Sequence, residues 1–208
     1  MIIRRDSGAL TILTLDRPDK ANSLTRAMMV DLIETLRDVS DRAQAVILTG
    51  SGKVFSAGAD LDEARAGLAT DPIWEELSST IAAMPCLTIA ALNGTLAGGA
   101  FGMVLACDIR LAVPGAKFFY PVMKLGFLPQ PSDPARMAAL IGPGRTKMIL
   151  MAGARVLAAE ALDWGLVDRL SSPETLLDDA RILAADPCAA PAGHASRIKA
   201  MIPGIWSH

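Results

Sequence analysis

The protein has 208 residues and a formal net charge of −2; 51% of its residues are hydrophobic and only 4% are aromatic. This length suffices for one domain with a substantial core, built mostly from aliphatic side chains and methionine. Because the charges of both signs are interspersed, we expect no binding to nucleic acid. No segment approaches the ~20 apolar residues of a membrane span, and the N-terminus lacks the apolar core of a signal peptide. We therefore expect a cytoplasmic protein that does not bind a membrane.

Short apolar strands alternate with amphipathic helices in the first half of the chain. Residues 9–15 alternate with β-branched side chains and end in an Asp-Arg-Pro turn, which predicts a strand. The apolar residues between 28 and 36 recur at helical spacing, which predicts an amphipathic helix. The remaining elements are predicted in the order strand 45–49, helix 73–84, strand 87–92, a helix from the Gly98-Gly99 pair to about residue 107, and strand 109–112.

Helices dominate the second half of the chain. They are predicted at residues 133–140, 146–151, 158–164 and 173–185, and the Pro/Ala-rich stretch 186–193 is typical of a linker. Strands that alternate with helices early and helices that dominate late favour an α/β core of repeated β-β-α or β-α units with a helical C-terminal portion.

The three cysteines, Cys86, Cys107 and Cys188, lie in apolar segments without the spacing of metal ligands. Their number is odd. We therefore expect reduced, buried thiols, and neither a metal site nor a prosthetic group.

Two glycine-containing turns follow apolar strands, at residues 55–61 and 93–100. Small residues after a strand leave backbone N–H groups unshielded, and the start of a helix presents free N–H groups to an anion. Two such turns facing one another would form an oxyanion hole, although tight packing alone also explains each turn. Neither turn matches a dinucleotide fingerprint or a phosphate-binding P-loop.

These turns belong to a series of segments that resembles the crotonase (enoyl-CoA hydratase/isomerase) family. The similarity extends in the same order over nearly the whole chain. The matching segments are residues 17–24 (RPDKANSL), 55–61 (FSAGADL), 87–108 with its Gly98-Gly99 pair, 124–129 (KLGFLP), 139–142, 158–161 and 164–168.

The resemblance implies an α/β fold of the ClpP/crotonase-like spiral type, with repeated β-β-α units. It implies a core at residues 1–170 and a helical region at 171–208 that is shorter than in relatives. We expect a homo-oligomer, a trimer or dimer of trimers. The resemblance also implies an acyl-CoA thioester as substrate, with coenzyme A present only as part of that substrate.

The resemblance also assigns residues to the site. The backbone N–H groups of Ala57 and Gly99 match the oxyanion-hole positions, where preorganised donors stabilise an enolate. The positions expected to line the coenzyme A pocket are Lys20, Ala21, Ser23, Ala59, Asp60 and Leu61.

The acidic positions of the family are not acidic in this chain. Hydratases of the family use two glutamates, because water must lose a proton while the α-carbon gains one. These positions match Gly102 and Val122, and a third position that is acidic in some relatives is Gln130. Asp133 and Tyr120 are the candidates for proton transfer in their place. For Asp133 the alternative is capping of the helix that follows, and for Tyr120 it is packing.

Other polar residues are expected to lie outside the chemistry: Asp108 and Glu160 as helix-end, surface or ion-pair residues, and His194 and His208 near the C-terminus. Three functions stay open on the sequence. The first is an enoyl-CoA hydratase/isomerase-like enzyme with unconventional proton donors. The second is an acyl-CoA thioesterase or decarboxylase of the same fold. The third is a non-catalytic homologue that binds acyl-CoA or an active partner.

Overall fold

A computed structural model of the protein describes residues 1–202, and within them the strands form two sheets. The larger sheet has six strands in the order β1-β2-β3-β5-β7-β10, and the smaller has four in the order β4-β6-β8-β9. Their bounds are β1 Ile2–Ser7, β2 Leu10–Leu15, β3 Ala45–Gly50, β4 Val54–Ser56, β5 Leu87–Leu92, β6 Thr95–Ala97, β7 Ile109–Ala112, β8 Lys117–Phe119, β9 Val156–Leu157 and β10 Arg169–Leu170.

The helices lie between and after these strands. They are α1 Arg26–Val39, α2 Leu61–Arg65, α3 Ile73–Ala82, α4 Phe101–Leu105, α5 Val122–Leu125, α6 Asp133–Leu150, α7 Ala158–Trp164, α8 Leu176–Ala189 and α9 His194–Met201, with short 3-10 turns at Pro18–Lys20, Leu68–Thr70 and Gly98–Ala100. None of the helices within residues 1–202 is long and apolar enough to cross a bilayer.

Successive strand pairs confirm the predicted β-β-α repeat. In β3/β4, β5/β6 and β7/β8 the first strand joins the larger sheet, the second joins the smaller, and a helix follows. The strands β4, β6 and β8 are parallel neighbours. Their carboxyl ends therefore lie along one edge of the smaller sheet, and the turns that follow them are brought side by side.

The predicted apolar strands and helix faces form the core. β3 is buried along nearly its whole length, and β5 is buried beyond its first residue. The apolar side of α1 packs against α3, and Thr25 caps α1 by accepting the N–H of Met28 (3.2 Å). Burial raises the pKa of Cys86 to about 11 and that of Cys107 to about 12, so both free thiols stay protonated; Cys188 is half-buried.

The structure contains short elements that were not predicted, namely β4, β6, β8, β9, β10, α2, α5 and α9. Three further differences have a physical reason. β1 was not predicted, because its charged residues interrupt the alternation that is typical of a strand. An edge strand tolerates such residues. β1 pairs with β2 through a turn at Gly8 (φ 59°). The predicted linker 186–193 is wrong in its first half, because α8 continues through Pro187 to Ala189. The helices predicted at 133–140 and 146–151 form one element, α6, interrupted at Gly142 by non-helical backbone (φ 79°, ψ 160°).

Candidate active site

The turns after β4 and β6 face one another. Gly58 has φ 93° and Gly98 has φ 57°, a region that glycine adopts without steric cost. A Cβ on Gly58 would lie 2.9 Å from the carbonyl oxygen of Ala97 and 3.4 Å from the Cα of Gly98. The absence of a side chain at Gly58 allows this close approach, while Gly98 is required for its positive φ. Two turns facing one another are the juxtaposition that an oxyanion hole requires.

The Ala57 N–H is already used within the protein, which corrects its prediction as an oxyanion-hole donor. It donates to the carbonyl of Ala21 (3.0 Å), where the segment after β4 lies beside the loop before α1. The buried Asn22 shapes this loop by donating to the carbonyls of Ser51 (2.9 Å) and Val54 (2.7 Å). An N–H that is satisfied in the folded chain is not a free donor for a ligand.

Ala59, two residues further on, presents its N–H differently. It forms a parallel bridge with Leu24, in which the N–H of Leu24 donates to Gly58 (2.7 Å) and the N–H of Asp60 donates to Leu24 (2.8 Å). In a parallel bridge, the N–H of the residue between these two bonds points away from the partner segment. The Ala59 N–H is therefore directed away from Leu24.

Gly99 is the second residue of the 3-10 turn Gly98–Ala100, and the first N–H groups of such a turn have no partner within it. A Cβ on Gly99 would lie 3.2 Å from the ring of Trp74. Trp74 is buried and is fixed by donating its Nε1–H to the carbonyl of Leu68 (2.7 Å). This tryptophan backs the Gly99 turn, a role that helical periodicity alone did not indicate.

The carboxyl group of Asp133 lies beside Gly102, the residue that the resemblance matches to the first acidic position of the family. A Cβ on Gly102 would lie 3.0 Å from Oδ1 of Asp133 and 3.6 Å from Oδ2. Asp133 is fully buried, and Val122, where the second acid was expected, has a buried aliphatic side chain. The helix α6 thus supplies a carboxyl group next to Gly102 of α4.

Tyr120 holds this carboxyl group. Its hydroxyl donates to Oδ2 of Asp133 (3.0 Å) and accepts the N–H of Gln130 (3.4 Å), and its ring stacks on Phe101 with centroids 5.4 Å apart. Within the described residues, Oδ1 of Asp133 has no hydrogen-bond partner. This buried carboxyl oxygen faces Gly102.

Helix capping does not explain Asp133. The helix α6 begins at Asp133 itself, Ser132 is its N-cap residue, and no side chain caps it. The Asp133 side chain turns inward, and its carboxyl group accepts the Tyr120 hydroxyl instead of the first N–H groups of α6.

Burial raises the pKa of Asp133 to about 7, even though the Tyr120 hydrogen bond and the positive charge of Arg136 lower it. Near neutral pH the group is then divided between its protonated and ionised forms, as suits an acid–base catalyst. Burial also raises the pKa of Tyr120 above its ordinary range, so its hydroxyl stays neutral and acts as a donor to Asp133.

This pKa predicts a stability that declines with rising pH. Between about pH 3.8, the ordinary value for aspartic acid, and about pH 7, folded Asp133 keeps a proton that the unfolded chain has lost. The free energy of unfolding should therefore fall as pH rises through this window, by at most ~1.4 kcal/mol per pH unit from this group. Denaturant titrations at pH 5 and pH 8 should show this loss in the wild type and a smaller one in Asp133→Asn. Equal losses in the two proteins would contradict the raised pKa.

The residues expected to line the coenzyme A pocket lie in two adjoining segments. Arg17 links these segments, since it pairs with Asp60 (2.7 Å) and donates to Ser23 Oγ (3.2 Å). Asp60 also caps α2, and hydrogen bonds from Arg17 and α2 hold its pKa below the ordinary value. Lys20 and Leu61 are exposed to solvent. Their contact with coenzyme A stays a prediction.

The remaining polar candidates lie apart from this cluster. Asp108 is an ion-pair residue, as predicted, 2.7 Å from Lys199. Glu160 and His194 are exposed, and His208 lies outside the described residues. No group of three or more His, Cys, Asp or Glu side chains within residues 1–202 is arranged to hold a metal ion.

Comparison with known proteins shows the family of this chain. The sequence profile described as enoyl-CoA hydratase/isomerase matches residues 5–203. The chain belongs to the enoyl-CoA hydratase/isomerase family. Among curated members, a putative enoyl-CoA hydratase/isomerase of Bacillus subtilis, YngF, is 37% identical over 185 residues, which are 85% of this chain and 71% of that protein. A carnitinyl-CoA dehydratase of Citrobacter koseri is 38% identical over 184 residues, 85% of this chain and 70% of the relative.

Solved structures of family members confirm the crotonase fold. An enoyl-CoA hydratase of Bacillus anthracis superposes with a TM-score of 0.89 at 30% identity, covering 97% of this chain and 81% of that one. An enoyl-CoA hydratase subunit of Geobacillus kaustophilus gives a TM-score of 0.87 at 32% identity, covering 97% and 80%. The sequence-based expectation of an α/β crotonase fold is therefore confirmed.

Proposed function

We propose that the protein binds an acyl-CoA thioester and moves a proton at the carbon next to the thioester, with Asp133 as the acid–base group. The observation that supports this most directly is the buried carboxyl group of Asp133 beside Gly102. Other members of the family are named for reactions of enoyl-CoA and carnitinyl-CoA thioesters, which gives the substrate class.

The enolate oxygen is held by the N–H groups of Ala59 and Gly99 in this proposal. Ala59 takes the place that the sequence assigned to Ala57, because only the Ala59 N–H is directed away from the neighbouring loop. Backbone donors fixed by the contact between Gly58 and Gly98 need no reorganisation as charge develops, so they favour the enolate over the neutral thioester.

One carboxyl group favours isomerisation over hydration. The Asp133 carboxylate takes a proton from the α-carbon of a 3-enoyl-CoA, and the electron pair spreads into the thioester carbonyl and the 3,4 double bond. The same group returns the proton to carbon 4, which leaves a 2-enoyl-CoA. Addition of water needs a second group to deprotonate the water, and Val122 cannot supply it.

The test is incubation of the purified protein with 3-hexenoyl-CoA and crotonyl-CoA, in H₂O and in D₂O, with products identified by mass spectrometry and NMR. We expect 2-hexenoyl-CoA from the first substrate and little gain of water by crotonyl-CoA. Because Asp133 returns the proton that it takes, deuterium should enter the product in D₂O only as far as the proton on Asp133 exchanges with solvent. Fast hydration would contradict the one-carboxylate mechanism. Release of free coenzyme A or carbon dioxide would favour a thioesterase or decarboxylase. No reaction by folded protein would favour a binding role.

A further inference from the structure

The first turn of α3 contacts both parts of the proposed site. Trp74 backs Gly99, and the next residue, Glu75, reaches the segment before α6. The Glu75 carboxylate accepts the N–H of Ser132 at Oε2 (3.1 Å) and the hydroxyl of Ser132 at Oε1. The hydroxyl of Ser79 also donates to Oε1 (3.2 Å). One carboxylate therefore binds both donors of the residue that precedes Asp133.

These bonds replace the usual fixation of a helix start. A serine at the N-cap normally accepts an N–H of its own helix, but Ser132 makes no such bond and turns its hydroxyl to Glu75. The beginning of α6 is thus fixed by α3. Because Asp133 follows directly, a shift of Ser132 would move the Asp133 carboxyl group relative to Gly102.

The titratable groups around Asp133 come from three elements. Tyr120 faces it from the segment after β8, Arg136 from α6 itself and Glu75 from α3. Burial opposes ionisation of Glu75, but hydrogen bonds from Ser132 and the charge of Arg136 hold its pKa below the ordinary value. Glu75 is therefore an anion at neutral pH, and its charge raises the pKa of Asp133 while that of Arg136 lowers it.

We propose that Glu75 is a positioning residue, which holds Ser132 so that the carboxyl group of Asp133 stays against Gly102. This inference rests on the proposed function, since it gives Asp133 the proton transfer. Glu75 does not itself contact the reacting atoms. It acts through the backbone of Ser132 and through its charge.

The test compares Glu75→Gln with Glu76→Gln. The control alters the adjacent glutamate, which is exposed and pairs with Arg37 (3.0 Å) at the surface. The Ser132 N–H and hydroxyl bind different oxygens of Glu75, and an amide has one oxygen only, so in the present geometry one of the two donors would meet an NH₂ group. We expect kcat for 3-hexenoyl-CoA to fall roughly 10- to 100-fold in Glu75→Gln with KM nearly unchanged, because misplacement by a fraction of an ångström weakens proton transfer. The acid limb of the pH profile should move to lower pH, and the control should match the wild type.

A readout that does not need turnover separates this inference from the proposed function. The titration of Asp133 can be followed by ¹³C NMR of aspartate-labelled protein, assigned with Asp133→Asn. A lower pKa of Asp133 in Glu75→Gln, but not in Glu76→Gln, would support the inference even if no thioester reacted, in which case only the proposed function would fail. An unchanged Asp133 pKa, with kcat per folded molecule equal to that of the wild type, would overturn the role of Glu75.

Discussion

Replacement of Asp133 by asparagine is expected to lower the rate of 3-enoyl-CoA isomerisation by about 10²- to 10⁴-fold, the usual contribution of a positioned acid–base group. Asparagine keeps the shape of the side chain and still accepts the Tyr120 hydroxyl, but it does not take up a proton. The limb of the pH profile near pH 7, which we attribute to the raised pKa of Asp133, should disappear with it. Single-turnover kinetics on protein of verified fold would measure the loss.

A suitable control for this change is Asp163→Asn. Asp163 is exposed on α7, so the same aspartate-to-asparagine substitution there leaves the site untouched. It should leave kcat and KM within about twofold of the wild type, because surface substitutions are usually near neutral. If Asp133→Asn were as active as this control, proton transfer by Asp133 would be ruled out.

Substitution of Ala59 by proline is the second change with a large expected effect. Proline removes the N–H that we assign to the oxyanion hole, and loss of one such donor typically costs about 10²- to 10³-fold in kcat. The preceding residue is Gly58, whose freedom at φ 93° reduces the constraint that proline places on its neighbour. Gly99→Pro, which follows Gly98, should have a similar effect.

The matched comparison is Ala57→Pro. This change removes a hydrogen bond to Ala21 instead of a donor to substrate, so it should lower thermal stability more than kcat per folded molecule. Circular dichroism and thermal unfolding of each variant would establish the folded fraction. A fall in kcat that is larger for Ala57→Pro than for Ala59→Pro would indicate that Ala57, and not Ala59, is the oxyanion-hole donor.

The repeating core could be predicted from the sequence because its patterns are local. Continuous apolar runs at β3 and β5, and helical spacing in α1, each arise within about ten residues. β1 could not be found in this way, since its pattern of charged residues makes sense only at the edge of a sheet.

The details of the site depend on contacts between distant residues. Whether Ala57 or Ala59 has a free N–H depends on how residues 55–61 pair with Leu24, which the spacing of small residues does not specify. An aspartate before proline at a helix start usually caps, and only the approach of Tyr120 and Gly102 turns Asp133 inward. The part played by Trp74 and Glu75 likewise depends on where α3 meets the Gly99 turn and the start of α6.

The closeness of Gly102 to Asp133 limits which substitutions can be combined at these two positions. A glutamate at position 102 would begin with a Cβ 3.0 Å from the Asp133 carboxyl group, so two acids would lie side by side in the core. Two carboxylates in such proximity resist joint ionisation, and one of them would have to keep its proton or move away. A variant with an acid at position 102 would therefore have to keep one of the two acids protonated, move Asp133 or lose it. The two positions are coupled: the effect of an acid on α4 depends on whether Asp133 is present.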